Sequence, residues 1–569
     1  MQLWVRRNSG RTWVALVIML VASLMLMLPG LVSQHALSGD SHIHIRWQAQ
    51  YGTLVWASTP YPRWLPDMNA SFGSPAFFFY PPLLQWVGAL FAPLLPGPGH
   101  AMIRTAFALW LLSAAGGLGT WLWLRALGAS AGAAMVGALI YLVFPYRAYF
   151  DIYQRGALPE LAGISVMPWL LCMAQRLKNG SPAAWGAYAL SVGVILYSHL
   201  PAAEMGLLFA SCYILILADR NDWFRFLLRA GTATIAGFMI GALCIAPALS
   251  LLRFIPKPGN MWGNRNQPMH WLLFSHEKWL DPGVHIVVVA LCLLSVAMMI
   301  VFAPLTLRAE PSRPRLKIAW FLMASIAVVL LLNSAPSRAF WELQTPLSRI
   351  QFPFRLLSLT ILAFAGLGGL AFDRLSGTSG RMAAIGRLVV AASVPGLLLV
   401  DIALFGVHVW HSRDHLPPDN REILERTTDT GEYVIGELRV VGPRFRNARY
   451  STTQGDVHAV PTGWDSRFLS FETSALAPGR IAIRQFAFTG WTCRIDGGPW
   501  QPPITDPYPV NLPLCDIPAG RHRLDVSLPA TIAERAGGIA TLLGLLLAFG
   551  NILLSRFRST ARNEAPRRT

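Results

Sequence analysis

The sequence predicts an all-α polytopic membrane protein of about 12 transmembrane helices plus one half-span, with a β-sandwich domain outside the membrane ahead of a final transmembrane helix. Three observations predict it. Only 13% of the 569 residues are charged and 54% are hydrophobic, whereas a soluble domain carries roughly 25% charged residues. Apolar runs recur from Trp13 to Leu554. One polar stretch, 409 to 530, interrupts them with strand-length alternation.

Thirteen apolar runs qualify by length, bounded by charge or by Pro and Gly: approximately 12–33, 83–97, 101–125, 131–145, 158–175, 184–198, 203–218, 232–253, 284–304, 318–333, 356–372, 387–408 and 531–555. The first follows Arg6, Arg7 and Arg11 and is long enough to span, so it reads as an anchor and not as a cleaved leader. Arg556, Arg558, Arg562, Arg567 and Arg568 mark the other end, and basic ends belong in the cytoplasm. An even number of crossings is then required. The run 83–97 is short and cut by Pro93 and Pro96, so it reads as a re-entrant half-span. With it removed, Arg125, Arg176, Lys178, Arg220, Arg225, Arg229, Arg308, Arg313, Arg315, Lys317, Arg374 and Arg381 all fall inside. The domains expected are a transmembrane module 1–408 with a first outer loop 34–82, an outer β domain 409–530, a last helix 531–555 and a disordered basic cytoplasmic tail 556–569. A multi-pass membrane protein with both ends in the cytoplasm is implied.

The formal net charge of +18 suits cytoplasmic loops of a membrane protein and calls for no nucleic acid. Yet the outer loops also hold cations: Arg46, Arg63, Arg147, Arg155, Lys257, Arg265, Lys278, Arg338, Arg349 and Arg355. Snorkelling or pairing accounts for single cases; the set points to an anion held at the outer face.

Within 409–530 the runs Phe468–Thr473, Arg480–Phe488, Trp491–Ile495, Val510–Leu514 and His522–Leu528 are strand length and are separated by Gly and Pro turn signals. Cys493 and Cys515 fall in this region, and outside the cytoplasm they favour a cross-strand disulfide. Cys172, Cys212, Cys244 and Cys292 lie in apolar runs and read as small hydrophobes.

The first outer loop opens with Gly39-Asp40-Ser41-His42-Ile43-His44. Asp40 reads as a general base or, equally by position, as the N-cap of the following amphipathic stretch. His42 and His44 could join Asp40 around a divalent metal only with ligands from elsewhere; no cofactor is otherwise indicated. The aromatics Tyr61, Trp64, Phe72, Phe77, Phe78, Phe79 and Tyr80 read first as an interfacial belt. A second cluster, Tyr146 to Glu160, brings Arg147, Asp151, Arg155 and Glu160 to the start of a span, where an ionisable group is costly and therefore a functional candidate. His199 occupies another outer corner. Arg349 and Arg355 precede a span and could hold a lipid phosphate through their forked donors. HExxH, CxxC pairs, Walker A and GxGxxG preceding a helix are missing from the sequence, which removes support for those enzyme classes.

Gly39-Asp40-Ser41-His42, Pro62-Arg63-Trp64, Phe79-Tyr80-Pro81-Pro82, Arg155-Gly156-Ala157 with Glu160, Ser198-His199-Leu200-Pro201, Phe352-Pro353-Phe354-Arg355 and Thr489-Gly490-Trp491 with Asp496-Gly497, in that order, resemble polytopic glycosyltransferases of the GT-C superfamily, and more closely the bacterial membrane proteins called 6-pyruvoyl-tetrahydropterin synthase-related. The resemblance implies a transferase that takes a sugar from a polyprenyl-phosphate lipid to a glycan, lipid or protein acceptor at the outer face, with Asp40 near the reacting centre. Asp40 and Glu160 are then the catalytic candidates, with His42, His44, Arg63, Arg147, Arg155, His199, Arg349 and Arg355 for substrate and phosphate. The Asp-Ser-His order departs from the paired carboxylates of metal-dependent members. A transporter or flippase of a lipid-linked or anionic solute, or a scaffold displaying the β domain, are the rival readings; the first would place polar groups near mid-helix in several spans.

Overall fold

A computed structural model describes residues 2–32, 39–57, 59–254, 267–275, 281–307, 312–343, 345–412, 424, 428–435, 445, 448–488, 490–507 and 511–564. Lys257, Arg265, Lys278 and Thr489 lie outside the described residues, and so does the side chain of Arg349. Long helices run where the apolar sequence demands them, because a backbone in hydrocarbon must satisfy its hydrogen bonds internally. In chain order they are α1 (Gln2–Val32), α2 (Ser41–Trp56), the short α3 (Leu83–Ala89), α4 (Ala101–Ala126), α5 (Ala131–Leu142), α6 (Leu158–Lys178), α7 (Ala184–Leu196), α8 (Leu200–Leu217), α9 (Trp223–Leu251), α10 (Pro282–Leu307), α11 (Arg313–Leu332), α12 (Leu357–Ser376), α13 (Arg381–Ser412) and α14 (Ile532–Glu564).

Among the described residues ten helices are long and apolar enough to cross a membrane, two fewer than the crossings expected. The two that fall short have physical reasons. Helix α6 carries Glu160, Arg176 and Lys178 at its ends, and α7 has only 13 residues, about 20 Å at 1.5 Å per residue. The half-span reading of 83–97 agrees with α3, whose seven residues cover about 10 Å. The turn after it is pinned by Arg104, which donates to Leu95 O and Gly97 O at 2.7 Å each and to Gln48 O at 3.1 Å. Helix α12 forms the centre, with 89% of its apolar window buried. By contrast α13 has 17% buried and turns Met382, Leu388, Leu399 and Ile402 outward, the apolar surface lipid requires. Two expectations are corrected. Tyr146–Gln154 is a π-helix continuing from α5, not a loop, and α14 runs on through the basic tail to Glu564.

Among the described residues the β domain has eight strands in two antiparallel sheets. Strands β1 (Tyr450–Gln454), β4 (Gly479–Ile483), β7 (Pro513–Ile517) and β6 (Ile504–Thr505) form one in that order. Strands β2 (Val457–Trp464), β3 (Phe468–Ala475), β8 (Gly520–Ser527) and β5 (Thr492–Ile495) form the other. Phe471, Leu524 and Val526 from one sheet meet Ile481, Ile483 and Leu514 from the other in a shared core. Cys493 on β5 is bonded to Cys515 on β7, so the bridge staples the two sheets together and does not link neighbours within one.

This domain is seated on the first outer loop. Phe72 stacks on Phe486 and meets Phe445 edge-on, Trp64 meets Trp491, and Phe78 meets Phe488, all with ring centroids 5.0–5.6 Å apart. Gln485 donates to Pro66 O at 3.1 Å and Ser71 O at 2.9 Å, and Ser466 Oγ donates to Trp64 O at 2.6 Å. The loop aromatics read as an interfacial belt are therefore mostly a buried core under the β domain, each worth about 1.5–3 kcal/mol in apolar burial.

Candidate functional site

The π-helix builds the site. Its wide turn, closed by Arg155 N to Phe150 O at 2.9 Å, brings Tyr146, Asp151 and Arg155 onto one face; such bulges recur at functional sites. Arg155 Nη1 donates to Asp151 Oδ1 at 2.7 Å, to Glu160 Oε2 at 3.1 Å and to the Tyr146 hydroxyl at 3.3 Å. Tyr146 in turn donates to Glu160 Oε1 at 2.7 Å. Arg355, on the turn before α12, sends its Nε to the same Glu160 Oε2 at 3.1 Å and its Nη1 to Ile350 O at 2.7 Å. Glu160 is wholly buried, and two guanidiniums and a phenol surround it. Burial of that kind is tolerated only when a charge is paired and its lone pairs are met.

Asp40 stands at the rim of this cluster. Gly39 before it has φ +57°, and a Cβ there would sit 2.1 Å from Arg155 O, so only glycine lets the chain come this close. The reward is the Asp40 N–H donated to Arg155 O at 2.8 Å. Asp40 occupies the N-cap position of α2, yet its side chain makes no capping bond. Its carboxylate is exposed and lies within electrostatic reach of the Arg155 guanidinium.

His44 and His199 line the same region, both buried. His199 begins α8 and lies within electrostatic reach of Arg355, Glu160, Arg155 and His44. Burial pushes His199 down to about 3, helped by Arg355, and pushes His44 down to about 3, helped by His42. Both imidazoles are therefore neutral near pH 7, each with one N–H donor, and the Nδ1 of each has no partner among the described residues.

The other candidates have other partners. His42 donates its Nδ1–H to Gly39 O at 2.6 Å and closes the turn that presents Asp40. Arg63 is buried against Glu534 of α14 at 2.7 Å, stacks on Tyr61 and donates to Phe77 O and Leu243 O. It shares no partner with the Glu160 cluster and acts as a clamp, joined there by Arg467 of the β domain. Arg147 is wholly buried and donates to Leu142 O, its Nε and Nη2 without a hydrogen-bond partner among the described residues; it lies over the Tyr141 ring and within electrostatic reach of Asp151 of the cluster and of Asp401 of α13. Asp401, Glu534 and Tyr146 were not singled out from sequence. The signal for the first two was present, an acid inside an otherwise apolar run; nothing in the sequence marked Tyr146. Among the described residues no three His, Cys, Asp or Glu side chains are grouped to hold a metal ion.

The fold and site together define a multi-pass membrane protein with a β domain docked on the loop after α2 and a buried charged cluster edged by Asp40. No protein-family model and no curated protein sequence matches the chain. Among solved structures it is similar to arabinofuranosyltransferase AftD from Mycobacteria, at 14% identity and TM-score 0.46 over 91% of this chain and 40% of that one. It is also similar to ArnT from Cupriavidus metallidurans bound to undecaprenyl phosphate, at 16% identity and TM-score 0.39 over 74% and 75%. A third is the Archaeoglobus fulgidus oligosaccharyltransferase in the apo form, at 12% identity and TM-score 0.35 over 78% and 69%. The chain thus spans about two fifths of the arabinofuranosyltransferase it matches.

Proposed function

We propose that this protein is a membrane glycosyltransferase of the GT-C type that moves a sugar from a polyprenyl-phosphate donor to an acceptor hydroxyl at the outer membrane face. The observation that carries the reading is the exposed Asp40 carboxylate, without a hydrogen-bond partner among the described residues, tethered through its backbone to Arg155 beside the buried Glu160. Asp40 takes the acceptor proton as the acceptor oxygen bonds to the anomeric carbon and the carbon–phosphate-oxygen bond breaks, with inversion. The leaving lipid phosphate gains a negative charge. It is met by the guanidinium N–H groups of Arg155 and Arg355 left over from Glu160 and Asp151, and by the neutral imidazoles of His44 and His199. Glu160 is then a positioning residue that holds both guanidiniums in place, not a second acid. The inward-facing basic ends and the inter-sheet disulfide support an outer placement of the β domain in a bacterial cytoplasmic membrane. The acceptor is a glycan, lipid or protein reached from that side.

The test is Asp40→Asn in the full chain, assayed with polyprenyl-phosphate sugars in membranes. Loss of roughly 10²- to 10⁴-fold in transfer is expected; full transfer by a folded variant removes Asp40 as base. A transporter is the second reading, favoured by the buried opposite charges Arg147 and Asp401 at membrane level. It predicts solute or lipid movement that survives Asp40→Asn and is lost in Asp401→Asn.

A further inference from the structure

At the opposite membrane boundary from Asp40, a cavity of about 510 Å³ opens between α7, α9 and α14. Its lining is two-faced: Arg229, Asn551 and Trp185 on one part, Leu546, Leu547 and Leu554 on the other. The helix packing explains why it exists. A Cβ on Gly544 would come within 2.9 Å of Ala236 O, and one on Gly186 within 2.2 Å of Ala548 O, so the three helices touch backbone to backbone above this level. Beyond Ala548 the helices stay joined through Asn551 and Ile552 at Gly186, but Gly550 between them faces open space, where a Cβ would meet nothing within 4 Å. The Trp185 indole, which could have filled the gap, is held aside by donating to Thr232 Oγ1 at 3.0 Å.

The polar part is set up for an anion. Among the described residues the exposed Arg229 guanidinium has no ion pair or hydrogen bond. The acids of that boundary are engaged elsewhere, since Lys178 holds Asp219 at 3.0 Å and Asp222 at 2.8 Å. Asn551 accepts from Gly186 N at 3.1 Å through its Oδ1, which leaves its amide N–H groups as donors. A water-soluble anion would gain nothing from three leucines, whereas a lipid has both parts.

We propose that this cavity seats an anionic glycerophospholipid of the leaflet at the basic boundary, its phosphate on Arg229 and the Asn551 amide and its acyl chains along Leu546, Leu547 and Leu554. The site is independent of the sugar-transfer reading. Bilayers at a basic boundary supply such lipids, and a cation near the surface attracts them. The full chain in nanodiscs of phosphatidylglycerol or of phosphatidylcholine, followed by native mass spectrometry of retained lipid, provides the test. Wild type should retain phosphatidylglycerol over phosphatidylcholine, and Arg229→Gln should lower that preference roughly five- to tenfold. Gly550→Leu places its side chain in open space, so the fold is kept, and it should block retention of both lipids. Gly396→Leu on α13, which also meets nothing within 4 Å, should leave retention unchanged. Equal retention of the two lipids by wild type, or undiminished phosphatidylglycerol in both Arg229→Gln and Gly550→Leu, overturns the proposal.

Discussion

Replacing Glu160 with Gln keeps the shape of the side chain and removes its charge. In the native protein that charge meets Tyr146 at 2.7 Å and Arg155 and Arg355 at 3.1 Å each, with no exposed surface. Removing one partner of a buried ion pair costs about 3–5 kcal/mol, because the other charge stays buried and uncompensated. Here the loss falls unequally. Arg155 keeps Asp151 at 2.7 Å, whereas among the described residues Arg355 keeps as hydrogen-bond partners only the neutral acceptors Ile350 O at 2.7 Å and Gln351 Oε1 at 3.3 Å. The low end of the range, about 3 kcal/mol, is therefore expected for Glu160→Gln. Adding Arg355→Gln removes the stranded cation and should recover about 1–3 kcal/mol as a coupling term. Detergent-titrated unfolding of the full chain in mixed micelles, followed by tryptophan fluorescence, measures both. A Glu160→Gln variant within about 0.5 kcal/mol of wild type, the range of a bland surface change, would refute the account of Glu160 as the anchor of two guanidiniums.

Two further outcomes are expected. Breaking the Cys493–Cys515 bridge, which closes a separation of 22 residues, should destabilise the β domain by about 3 kcal/mol; limited proteolysis should then cut within 450–527 before any helix, and an unchanged cleavage pattern would count against a stapling role. His44 and His199 are held neutral with pKa values of about 3, so below about 6.5 the unfolded chain takes up protons that the folded chain refuses. Stability should be complete above pH 6.5 and fall by at most about 1.4 kcal/mol per pH unit for each histidine as the pH drops toward 3; unfolding midpoints at pH 7.5 and 5 measure this, and His199→Gln should flatten the slope.

The transmembrane elements were legible because lipid demands unbroken apolar runs, and charge at their ends marks where they stop. Strand β2 was not among the runs read as strands. Pro461 lies within it, and Pro demotes a strand reading; the structure accommodates it in an edge strand with a bulge between Pro461 and Gly463. The π-helix had no such signal, since its residues show no pattern distinct from an interfacial loop. Asp40, Arg155, Glu160, His199 and Arg355, far apart in the chain, do share one region. Arg63 looked equivalent to Arg155 by exposure of its motif, and only tertiary packing separates them, because its partner Glu534 sits in the last helix. The loop aromatics failed for a related reason: a belt facing lipid and a core facing another domain use the same side chains.

The clamp of Arg63 by Glu534 ties the segment between α2 and α3 to α14, across most of the chain. A nascent chain that has not yet released that helix holds a guanidinium in an apolar niche with no counter-charge, and it has nothing to fix the β domain through Arg467. The latch formed by Arg63, Arg467 and Glu534 therefore closes only after Glu534 has been made, so that a ribosome interrupted short of it leaves behind an inserted but unlatched protein.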